Sequence, residues 1–152
     1  MRRLMFEIPG EPVAKARPRV VNLRGYSVAY TPEKTKSFEN LVKMMYVNKY
    51  KDTKLEGPLS LTIHAFFSIP KSTSKKLKNE WIHGRCPVIK KPDTDNLAKA
   101  IADSLNKIAY NDDSQIAEIY VTKEYAERPR TMVIIREIEK VGTNNLDEEE
   151  WK

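Results

Sequence analysis

A single cysteine, Cys86, stands among the 152 residues, and that scarcity removes two kinds of chemistry. One thiol forms no intramolecular disulfide and builds no thiolate zinc site. A reducing cytoplasm is the expected compartment. Histidine is almost as rare, with His64 and His83 the two present. His64 falls on the polar side of a strand pattern, where an exposed or packed residue is the plainer reading than a ligand. Long apolar runs are missing too. No stretch approaches the ~20 residues that a membrane-spanning helix needs, and the N-terminus has no apolar core of the kind a signal peptide carries. There is no internal repeat and no low-complexity segment. What the chain has is charge. Its formal net charge is +6 and its pI about 9.3, which favours a polyanionic partner. Residues 139–152 hold five acids against two lysines, so the rest of the chain carries +9.

Set in that basic background is an acidic stretch, Lys91 to Gln115, reading KPDTDNLAKAIADSLNKIAYNDDSQ. Pro92 keeps its predecessor extended, so Asp93 and Asp95 are expected to project from one side of an extended lead-in. Asp95 is the expected N-cap of a helix from Asn96 to about Ile108. Leu97, Ala98, Ile101, Ala102 and Leu105 fall on one apolar stripe of that helix. Lys99 and Asp103 follow Asp95 by one and two turns and share a face with it. Asn111-Asp112-Asp113-Ser114 is turn chemistry, expected to return two more carboxylates toward the first pair. Carboxylates about 4 Å apart repel by roughly 4 kcal/mol at an effective dielectric near 20, so a cluster calls for a proton or a cation. Oxygen-only ligands suit a hard ion, Mg²⁺ first, with Mn²⁺ or Ca²⁺ as substitutes. The bland alternative is a plain cap, a surface ion pair and an ordinary turn. A basic protein that gathers so many acids in one segment favours the metal reading.

The run PDTDNLAKAIADSLN followed by NDDSQI resembles the signature of the RusA family of Holliday-junction resolvases. The shared pattern is an Asp-x-Asp-Asn-Leu opening, a lysine four residues after the second aspartate, a further helical acid and a closing Asp-Asp. It spans about a sixth of the chain and fixes many positions. The resemblance implies a Mg²⁺-dependent, dimeric, structure-specific endonuclease acting on four-way DNA. It implies Asp93, Asp95 and Asp113 as the essential acids and metal ligands, Asp112 as an auxiliary ligand, and Lys99 as the catalytic cation. Water activated by the ion would attack the phosphodiester, leaving 5′-phosphate and 3′-hydroxyl ends. Asp103 either fixes the Lys99 ammonium or makes only a helix-surface salt bridge. The other classes in view are a metal nuclease for another branched nucleic acid and a non-catalytic module that binds DNA junctions. No small-molecule cofactor and no membrane contact are expected.

The remaining segments supply a scaffold. Leu4–Ile8 reads as a strand, and the proline-stiffened GEPVAKARPRV carries Lys15, Arg17 and Arg19. These cations either grip phosphates or belong to a solvated loop. Residues 20–30 form a hairpin around Arg24-Gly25. Thr31-Pro32-Glu33 opens a helix with Thr31 as its cap, and Phe38, Leu41, Val42 and Met45 line one side of it. Leu59–Ile69 alternates as a strand. Ser72 to about Trp81 is a short lysine-dense helix, a solvated face or a second DNA contact. Lys90 and Lys91 sit directly before the acid pair, either as positive charge at the rim of the metal site or for solubility. Two strands follow, Ile116–Tyr125 and Thr131–Ile138, with Ile119, Val121, Val133 and Ile135 as core residues. Lys123 is placed where it would point back over the site. The expected architecture is a single α+β domain over residues 1–138, a mixed sheet of four or five strands with two main helices, and an acidic, flexible tail over 139–152.

Overall fold

The computed structural model describes residues 1–139; the acidic segment from 140 onward lies outside the described residues. Six strands and three helices follow one another as β1 (Arg3–Pro9), β2 (Arg19–Leu23), β3 (Tyr26–Tyr30), α1 (Glu33–Tyr50), β4 (Leu59–Ser68), α2 (Lys75–His83), α3 (Thr94–Leu105), β5 (Ile116–Ala126) and β6 (Arg130–Glu137). Four strands form one mixed sheet in the order β1-β6-β4-β5, and β2 and β3 form a separate ribbon. β6 runs antiparallel to both β1 and β4, whereas β4 and β5 are parallel. A parallel pair needs a long crossover, and the crossover here contains both α2 and α3. The topology therefore carries the aspartate-rich helix back across the sheet. The class is α+β, with two longer helices, α1 and α3, the expected short lysine-dense helix as α2, and the hairpin ribbon apart from the four-stranded sheet.

Alternation along the strands decides which face of the sheet the helices cover. Leu59, Leu61, Ile63 and Ala65 of β4 are buried, and so are Val133 and Ile135 of β6 and Leu4, Phe6 and Ile8 of β1. Phe38, Val42 and Tyr46 of α1 join Ala98, Ile101 and Leu105 of α3 over that face in one apolar cluster. Each fully buried leucine or isoleucine contributes about 1.5–3 kcal/mol relative to an exposed one. That burial holds α3 against the sheet.

Three expectations change, two of them at element ends. Thr31 does not cap α1; Pro32 takes the cap position without a side-chain bond and the helix begins at Glu33. α3 starts one residue before Asp95, with Asp93 at the cap position, and ends at Leu105 instead of near Ile108. Ile119 is 52% exposed and not part of the core, because β5 is an edge strand and its first half runs beyond the cover of α3. Ser74 caps α2, its hydroxyl accepting from the Leu77 amide at 3.2 Å.

Candidate active site

Asp93 and Asp95 stand at the start of α3 with their side chains exposed. The Asp93 carbonyl accepts the Leu97 amide at 3.2 Å, but its carboxylate makes no capping bond. Asp95, placed inside the first turn, makes no cap either. Both carboxylates profit from the positive end of the helix dipole and remain available to an outside partner. Their backbone lead-in is fastened from below. The Lys123 ammonium donates to the carbonyls of Lys90 at 2.7 Å and Pro92 at 2.8 Å. Lys123 thus reaches toward the site from β5, and it does so by holding the chain that presents Asp93.

One turn on, Lys99 is exposed and shares a groove of about 460 Å³ with Thr94, Asp95, Ala98, Ile119 and Val121. Ile119, expected in the core, is instead a wall of this groove. The groove thus joins a free carboxylate, an ammonium and an apolar strand edge.

The second acidic segment behaves differently. Buried Tyr110 donates to the Ala102 carbonyl of α3 at 2.6 Å and anchors the turn that follows. Burial pushes its hydroxyl far above the ordinary tyrosine value, and the negative charges of Asp113, Asp103 and Asp112 add to the shift. Asp112 caps a single 3-10 turn, Asp113–Gln115, accepting from the Ser114 amide at 3.1 Å, while Gln115 answers from the other side of the cap. The Ser114 hydroxyl and amide hold the Asp112 carboxyl below its usual range. Asp113 is exposed.

Asp103 pairs with Lys15 at 3.4 Å, not with Lys99. Lys15 also meets Glu39 at 2.5 Å. Partial burial opposes the lysine charge, yet Glu39 and then Asp103 outweigh it and hold the pKa above the ordinary lysine value. Its ammonium is therefore engaged by two carboxylates of the protein, unlike the other cations of the expected DNA-binding set. Glu39 had no local signal, since it lies 24 positions from its partner. Arg17, Arg19, Lys90 and Lys91 are all exposed.

Among the described residues, no three acidic, histidine or cysteine side chains stand close enough together to cage an ion. Helix geometry accounts for part of the spread, because Asp95 and Asp103 are separated by a rise of about 12 Å. Mg²⁺, however, is usually held by one or two carboxylates together with water and substrate phosphate. A pair of unengaged carboxylates beside an ammonium fits that kind of open site. It does not fit a closed, all-protein cage.

The class of protein is an endodeoxyribonuclease. The family description Endodeoxyribonuclease RusA matches residues 9–136, from the end of β1 nearly to the end of β6. This chain belongs to the RusA family. The uncharacterized protein YqaN of Bacillus subtilis (strain 168) is 37% identical over 137 residues, covering 89% of this chain and 96% of its own. The crossover junction endodeoxyribonuclease rusA of Lactococcus phage r1t is 27% identical over 135 residues, covering 88% and 95%. No described helix is long and apolar enough to cross a membrane.

Proposed function

We propose that the chain resolves four-way DNA junctions by paired nicks, in a Mg²⁺-dependent reaction centred on the groove at the start of α3. The observation that carries this reading is the pair Asp93 and Asp95, two exposed carboxylates at a helix start with no capping role. Family membership adds the substrate class. Asp93 and Asp95 would hold the ion, and Asp113, the third acid the resemblance implies, stands on the turn after α3 without forming a preformed three-carboxylate cage with them. Mn²⁺ is the expected substitute, because the donors are all oxygen. When bound, the ion supplies Lewis-acid stabilisation of phosphate charge and a more acidic water.

The protein's own residues do the rest. Lys99 places its ammonium where charge grows on the phosphate during attack, an arrangement that favours the transition state over the ground state. Asp112 holds the turn that presents Asp113. Lys123 fixes the carbonyls on either side of Lys91, so the lead-in to Asp93 is positioned before substrate arrives. Lys90, Lys91, Arg17 and Arg19 bind backbone phosphates without reading bases, and binding is accordingly salt-dependent. The ends left are 5′-phosphate and 3′-hydroxyl. Two active sites are needed for two opposed cuts, so the working form is a homodimer matching the two-fold symmetry of the junction. Its place of action is a reducing cytoplasm, which the single free cysteine suits.

The test is incubation of the protein with a synthetic immobile four-way junction, with and without Mg²⁺, mapping nicks on both strand pairs. Symmetric nicks that require the ion are expected. A junction bound but never cut would leave a non-catalytic binding module. Cutting confined to flaps or other branched forms would reassign the substrate.

A further inference from the structure

The ribbon of β2 and β3 has no place in the sheet, and all ten of its residues are exposed. Its pairing places Arg19 opposite Tyr30, Val21 opposite Val28 and Leu23 opposite Tyr26. Directly opposite residues share a face. One face of the ribbon is therefore Val21, Leu23, Tyr26, Val28 and Tyr30, ended by Arg19. The other face carries a hydrogen bond between Ser27 and Asn22 at 2.8 Å. The five apolar members of the first face are between 39% and 76% exposed. A lone two-stranded hairpin is marginal in water, and a contiguous exposed apolar patch of this kind marks an interaction surface.

Charge and position indicate the occupant. Between Pro12 and Pro32 the chain holds no acid, and beside Lys15, which is paired with Glu39 and Asp103, it carries three arginines, Arg17, Arg19 and Arg24. Arg24 lies at the tip, where Arg24 and Gly25 both take positive φ, at 47° and 85°, the backbone of a tight two-residue hairpin turn. The base of the ribbon is seated beside the candidate active site. The Lys15 amide donates to the Asn96 carbonyl of α3 at 3.0 Å, and Arg17 and Arg19 line a cavity with Pro92, the residue before Asp93. A second copy docked face to face would bring arginine toward arginine. A polyanion meets no such repulsion. Between its arginines the apolar face carries no Asn or Gln to read base edges, but it carries tyrosine rings, on which bases of any identity stack.

We infer that the ribbon is a DNA-contacting arm. It lays its apolar face, led by Leu23 and Tyr26, on the base pairs left unstacked at a branch point, while Arg19 and Arg24 take the flanking phosphates. The inference rests on the junction reading above and deepens it: the active site supplies the cut, and the ribbon supplies the preference for branched over linear DNA.

The test compares the full-length protein with a Leu23→Ser/Tyr26→Ser variant and a Tyr26→Phe variant. Affinity for an immobile four-way junction and for a linear duplex is measured without divalent ion, with 2-aminopurine placed at the branch and molar mass recorded in parallel. The serine variant is expected to lose about tenfold in junction affinity, to keep duplex affinity within about twofold, and to lose the change in branch-point fluorescence. Tyr26→Phe restores all three, because a phenyl ring stacks as well. Unchanged junction affinity overturns the inference. So does a serine variant whose molar mass falls, which assigns the face to a second copy, or one that binds DNA more tightly, which assigns it to a segment of the chain itself. These readouts do not involve cutting. Absence of Mg²⁺-dependent nicking with ribbon-dependent junction binding intact would defeat the catalytic reading alone.

Discussion

Two aspartates of this chain occupy the cap position of a helical turn, and they are used in opposite ways. Asp112 accepts from Ser114 and is locked in a reciprocal cap with Gln115. Asp93 occupies the same position at the start of α3 and makes no side-chain cap. An aspartate at a helix start normally caps it, for about 0.5–2 kcal/mol. A fold that leaves this stabilisation unclaimed at Asp93, with Asp95 beside it, keeps both carboxylates exposed and without a capping bond. The difference separates an acid that builds its turn from two acids that cap nothing and that the proposed function assigns to the metal and substrate.

The sharpest way to break that comparison is to neutralise one acid of each kind. Asp93→Asn and Asp95→Asn are each expected to slow junction nicking by about 10²–10³-fold or more, measured in single turnover with Mg²⁺, while binding without the ion persists. Asp112→Ser keeps a capping oxygen and is expected to retain nicking within about tenfold. An equal collapse in Asp112→Ser would mean that the capped acid is also a ligand, and the distinction would go. Lys99→Ala comes next in size. Turnover should fall by about 10²-fold with affinity little changed, and equal losses in both would make Lys99 a simple contact.

Smaller effects sharpen the structural side. Asp112→Ala should destabilise the protein through loss of the cap, whereas Asp93→Ala should show no such loss; urea unfolding of the two variants reads the contrast directly. The smallest effect is on acid stability. Glu137 accepts from the Arg2 guanidinium and amide and from the Glu56 amide, joining the end of β6 to the strand before it in space. Arg2 foremost holds its carboxyl down to about 2, from an ordinary value of 4.5. A depressed folded-state pKa stabilises fully above the unfolded value and is lost as the pH falls through the folded one. Stability from this group is therefore complete above about pH 4.5 and fades toward pH 2. Glu137→Gln should lower stability at neutral pH and flatten the decline over that window, as followed by thermal unfolding at a series of pH values.

Much of the scaffold was legible because its signals are local. The stripe of Leu97, Ala98, Ile101 and Leu105 predicts the helix that is seen, and the alternation from Leu59 predicts β4. The hairpin around Arg24-Gly25 is where it was expected. Helix starts were not legible to the residue, because Asp93 and Asp95 are equally good caps by type and neighbouring structure selects the register. Ile119 alternates like a core residue, yet its burial depends on whether another element closes over it, and α3 only forms the opposite wall of an open groove and leaves it 52% exposed. The partner of Lys15 lies 24 positions away on α1, beyond the reach of any pattern along the chain.

By itself the sequence determined the element types, the α+β class and the position of the acidic segment, since backbone periodicity and side-chain chemistry are properties of neighbouring residues. It also carried the spacing by which the family is known. Only the tertiary structure decided which charges remain free. Whether an aspartate caps a turn or stands open, whether a lysine meets solvent or a partly buried glutamate, and whether an apolar strand face is covered all depend on distances between segments remote in the chain, and packing sets those distances.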